Sequence, residues 1–176
     1  MPLKAQNTDS EQLAHAIDYF QSGKYHEALL LFERLSEKHK LNNRFIAYMG
    51  VCAYYEMEYE KACQYLDPTL ESLEIFAPHE RSVYYFTSGE SHFRLYQWAE
   101  ALEPYEKALE VCHDNEKGEI SFRLGCCYLF LGNMPLAYEH LGNSLEYYSR
   151  FANTQQNQAR IEQISQMVMG LYDYLH

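Results

Sequence analysis

Apolar residues recur along this chain at intervals of three and four, in short runs separated by polar breaks. That is the period of helices packed along one face. Val83 to Leu95 follows it, Tyr96-Gln97-Trp98 interrupts it and Ala99 to Cys112 resumes it, which predicts two helices and a tight turn. The arrangement recurs. A small residue is followed nine positions later by Tyr, Trp or Met, then three further on by Ala, then four further on by a bulky apolar residue. The four copies are Ala16–Tyr25–Ala28–Phe32, Gly50–Tyr59–Ala62–Leu66, Gly89–Trp98–Ala101–Tyr105 and Gly125–Met134–Ala137–Leu141. Spacing inside a copy never changes, whereas the copies start 34, 39 and 36 residues apart. A rigid hairpin joined by connectors of variable length is therefore expected. Repeats of this length predict an all-α solenoid, in which no unit can bury its apolar face alone.

Gly23 and Gly132 mark turns where a helix end wants a residue free to take positive φ, and Pro135 follows where a new helix starts. Gly50, Gly89 and Gly125 lie inside predicted helices, at about 1 kcal/mol each relative to Ala. Their recurrence predicts close backbone approach, with Ala28, Ala62, Ala101 and Ala137 as the expected opposing surface. Thr8 with Glu11 predicts a capping box, after a flexible lead over 1–8. The hairpins are expected at about 9–40, 43–77, 82–113 and 118–150. The second helix of the second copy is expected to run on to Ala77, and Pro68 and Pro104 to kink second helices or shift their starts. Asn115-Glu116-Lys117-Gly118 reads as a connector. A last helix, capped by Asn153 or Thr154 within 153–176, carries Ile161, Ile164, Val168, Leu171 and Leu175 on one side, as a capping helix requires.

These residues resemble the tetratricopeptide repeat family, whose helix–turn–helix unit carries a Leu-Gly pair, a Tyr, an Ala and a Phe. Leu124-Gly125 with Tyr128 and Ala137, and Gly89 with Trp98, Ala101 and Tyr105, match best. Ala16 departs from the usual glycine. Ile46, Tyr85 and Ser121 stand where the family often has Trp, and the proline that often closes a unit is missing. The resemblance covers about residues 9–150. It implies a right-handed superhelix of four units closed by the C-terminal helix, and a role in binding proteins.

Composition narrows the partner. Between Glu56 and Glu116 there are 14 acidic residues against 4 basic ones, in a chain of net charge −11. Many, such as Glu100, Glu103, Glu106 and Glu110, fall on second helices that face outward. Nucleic acid, which needs a basic stripe, is a poor ligand for such a surface. Cys52, Cys63, Cys112, Cys126 and Cys127 form no CxxC pair and read as reduced, buried thiols. With no apolar leader and no run of about 20 apolar residues, a cytoplasmic, membrane-free protein is expected.

First helices of such a stack line its groove, and the stripe beside the small residues there is aromatic and aliphatic. It supplies Ile17, Phe20, Val51, Tyr54, Tyr55, Phe86, Glu90, Phe93, Arg94, Phe122, Cys126 and Phe130 as expected partner contacts. Glu90 and Arg94, four apart, are expected to pair. Tetratricopeptide modules of the chaperone-cofactor type grip a carboxylate with Lys, Asn and Arg. Here Leu13, Ile17 and Val51 stand instead, which favours a protein segment with hydrophobic anchors. Eight histidines make no HExxH or other ligand pattern, and there is no P-loop and no GxSxG. No metal, no cofactor and no enzymatic activity are expected. The leading reading is an adaptor. A small acidic chaperone for secretion substrates, and a subunit self-assembling or dimerising through Ile161, Ile164, Val168 and Leu171, are the alternatives.

Overall fold

The computed structural model describes residues 8–176, all helical or irregular, with no strand among them. Helix α1 (Asp9–Gln21) opens on the capping box: the Glu11 amide donates to Thr8 Oγ1 at 3.2 Å and the Thr8 amide to Glu11 Oε2 at 3.0 Å. Then come α2 (Tyr25–Ser36), α3 (Asn43–Tyr55) and α4 (Tyr59–Leu66). Helices α5 (Pro78–Arg94), α6 (Trp98–Val111), α7 (Lys117–Phe130), α8 (Met134–Phe151) and α9 (Gln158–Leu175) follow. Helices pair as α1/α2, α3/α4, α5/α6 and α7/α8. The chain divides into two compact units, the first ending at Leu73 and the second beginning at Glu74.

All four turns are built alike. The amides of Lys24, Glu58, Gln97 and Asn133 donate to the carbonyls of Tyr19, Ala53, His92 and Tyr128 at 2.8–3.0 Å, the long bond of a Schellman turn. The residue before each of these is left-handed: Gly23 (φ +73°), Met57 (+61°), Tyr96 (+60°) and Gly132 (+77°). Gly23 and Gly132 mark the first and fourth turns as expected, and in the other two Met57 and Tyr96 take the left-handed position without glycine.

The recurring small residue meets a different neighbour from the one expected. A Cβ on Gly50 would collide with the Leu66 side chain, one on Gly89 would lie 2.7 Å from the Tyr105 ring, and one on Gly125 2.6 Å from Leu141. The opposing group is therefore the bulky last residue of the same copy. The alanines are fully buried as well, but they are not the nearest groups. Gly118, taken for connector, sits in the first turn of α7 beneath the Tyr148 ring and accepts a 2.6 Å bond from Ser144 Oγ. The preceding linker is a single 3₁₀ turn, Asp114–Glu116.

Other boundaries shift for local reasons. Helix α4 stops at Leu66 and continues as a 3₁₀ segment, Asp67–Ile75, rather than reaching Ala77 as α-helix. Pro68 cannot donate to the preceding turn, and Thr69 Oγ1 donates instead to the Leu66 carbonyl at 2.7 Å. Pro104 lies buried within α6, which runs through it. Helix α5 starts at Pro78, five residues before Val83, because proline suits a first turn. Neither Asn153 nor Thr154 caps α9, which begins at Gln158 after a 3₁₀ turn. In the second unit, α9 buries Ile164 and Leu171 in a core with Phe122, Leu141 and Tyr148, and Ile161 and Val168 pack against it. The expected self-association stripe is thereby used up inside the unit.

Candidate partner-binding surfaces

In the first unit α1 and α3 meet through side chains, with Phe20 stacked on Tyr48 at 4.0 Å between ring centroids. Ile17, Phe20 and Tyr54 are half-buried, and Val51 is buried and so not available to a partner. Tyr55 is exposed at the end of α3. At the opposite end of this unit an open cleft of about 420 Å3 is lined by Leu13, Leu35, Leu41, Phe45 and a polar rim. Asp9 closes that rim with His39 at 2.8 Å, a bond that holds the carboxyl below the ordinary 3.8.

The second unit brings α5, α7 and α9 together through charge. Glu90, placed on the expected groove, is in fact buried beside Arg123 rather than paired with Arg94. Its Oε1 accepts from the Tyr105 hydroxyl at 2.6 Å and meets Arg123 Nε at 2.8 Å. Burial and this carboxylate push the Tyr105 phenol far above its usual range, so it stays a donor. Arg123 reaches on to Glu119 (3.3 Å), which also accepts from Tyr148 at 2.8 Å and pairs with Arg160 of α9 at 3.3 Å. The Arg160 guanidinium lies 4.3 Å above the Phe122 ring. Phe122 and Cys126, two further expected contacts, are buried under this network. Sequence spacing missed it because its partners sit on five helices, α5 to α9.

What remains open lies toward the turns. Phe130 at the end of α7 is 56% exposed and stacks on Trp98 at 4.4 Å, with Phe93 edge-on to Trp98 at 5.0 Å. Tyr96 extends the face, edge-on to Trp98 at 5.5 Å. Phe86 is half-buried against Tyr105, and Arg94 is exposed. This face can accept apolar side chains and holds no nucleophile. Burial pushes Cys52 and Cys127 up to about 12 and Cys126 up to about 11, the thiols of inert core residues.

Known proteins resemble the chain at the level of this architecture. The solved structure of MamA AMB-1 superposes with a TM-score of 0.74 over 95% of this chain and 82% of its own, at 14% identity. MamA MSR-1 gives 0.64 over 96% and 98%, at 12% identity. The chain has the tetratricopeptide-like α-solenoid fold. By sequence it is 28% identical over 137 residues, 78% of its length, to BBSome complex member BBS4 of Bos taurus. It spans 24% of that relative. No family model matches it. No described helix is long and apolar enough to cross a membrane.

Proposed function

We propose that this chain is a non-enzymatic protein-interaction scaffold of four tetratricopeptide-like units and a capping helix, which anchors apolar side chains of a partner protein segment on Phe93, Trp98 and Phe130. The observation that carries the reading is the Phe130 ring, more than half open to water while stacked on an indole. A soluble fold gains nothing from leaving such a face uncovered unless something docks there. The relative BBS4 is named as a member of a complex, which agrees with a scaffold role. Of the twelve expected groove residues, Val51, Glu90, Phe122 and Cys126 are buried, which leaves Tyr55, Arg94 and Phe130 exposed and Ile17, Phe20, Tyr54, Phe86 and Phe93 half-buried for a partner to reach, and the acidic surface disfavours nucleic acid.

The test is affinity capture from native extract, with the wild type and Phe130→Ala compared by mass spectrometry. Proteins retained by the wild type and lost by the variant, at unchanged melting temperature, support the reading. Identical capture by both sinks it. Self-association is a second reading, favoured by Met169, Tyr172 and Tyr174, which are exposed on α9. Light scattering that reports a monomer at high concentration eliminates it.

A further inference from the structure

The turn between α3 and α4, in the first unit, carries a surface of different chemistry from the Phe130 face. Met57 holds φ +61° where two of the other three turns use glycine, and its side chain is 73% exposed. A strained backbone that presents an apolar side chain to water gains no packing in return, and such outliers gather where a side chain is needed for binding. Tyr55, 55% exposed, lies flat on Tyr25 with centroids 4.3 Å apart and planes 6° from parallel, and Tyr54 meets it edge-on at 5.3 Å. One ring face of Tyr55 is thus fixed and supported. Carboxylates are concentrated along this stretch: Glu56 and Glu58 flank Met57, the exposed Glu60 lies in the first turn of α4, and the exposed Glu27 lies two residues beyond Tyr25 in the first turn of α2. Lys61 is held between Glu33 and Glu58 at 3.2 and 2.7 Å, and Glu56 meets His26 at 2.9 Å.

We propose that the α3–α4 turn docks a lysine- or arginine-bearing segment of another protein, its cation on the outer face of Tyr55 and a neighbouring apolar side chain on Met57. Charge complementarity selects this occupant. Tyrosine faces attract cations, and Glu27 and Glu60 supply counter-charge, whereas an acidic segment or a nucleic acid would be repelled. The site shares no residue with the Phe130 face.

The test uses the full chain and a labelled synthetic peptide of alternating arginine and leucine, with a glutamate–leucine peptide as control. Fluorescence anisotropy should give saturable binding of the basic probe alone, weakening as salt rises. Tyr55→Ala should weaken it by about tenfold. Met57→Gly should weaken binding while raising the melting temperature, so the lost affinity cannot come from unfolding. Absent or charge-blind binding, unchanged affinity in Met57→Gly, or an equal loss in Phe130→Ala would each overturn the proposal. That last outcome would leave the Phe130 reading intact.

Discussion

A left-handed backbone costs a non-glycine residue roughly 1 kcal/mol or more. Met57→Gly should therefore raise stability by about 0.5–1 kcal/mol, read as a shift in thermal denaturation. Tyr96→Gly should gain less, because it also loses the edge contact with Trp98. Buried glycines act oppositely. In Gly125→Ala the new Cβ would face the Leu141 side chain and its backbone nitrogen at 3.2 Å, which cannot retreat. A loss of about 1–3 kcal/mol is expected, as for other over-packed cores. Gly142→Ala meets nothing within 4 Å and should be neutral or stabilising by up to about 1 kcal/mol. His140 sets a pH effect. Burial against Tyr128 holds its pKa below the ordinary 6.5, so both states are neutral above that value. As pH falls below 6.5 the unfolded chain takes the proton first and stability declines. His140→Gln should flatten that slope in denaturation curves recorded at stepwise lower pH.

Helices were legible where period and punctuation agreed. The capping box at Thr8, the turn glycines and Pro135 all fall where local chemistry puts them. The 3₁₀ stretch after Leu66 was not legible, since Pro68 stops an α-helix without saying what replaces it. The twelve groove residues were chosen by angle around a helix, and angle cannot show which residues a neighbouring helix covers. So Val51, Glu90, Phe122 and Cys126 were placed on a surface but belong to the interior. Nor does spacing reveal pairs such as Glu90 with Arg123 or Glu119 with Arg160, which tie α5 and α9 to α7. Arg160→Ala removes both an ion pair and the cover over Phe122. Amide exchange along α9 should then quicken by about tenfold or more, while α5 and α6 keep their protection. Uniform quickening across the unit would show that α9 is not held separately by this contact.

The whole chain carries net charge −11 and a sequence pI near 5.1. Its solubility minimum should lie near pH 5, where light scattering should peak as self-repulsion vanishes. The fold class was readable because four copies keep one internal spacing, a constraint that only a recurring rigid unit imposes. The partner was not, because the residues that make the copies alike are the ones that hold hairpins shut. That same inward pairing, each of Gly50, Gly89 and Gly125 beneath the last bulky residue of its own copy, has a kinetic corollary. Contacts that are close in sequence form early and at low entropic cost. Each hairpin could therefore close on the ribosome as soon as its second helix emerges, before the next copy has been translated.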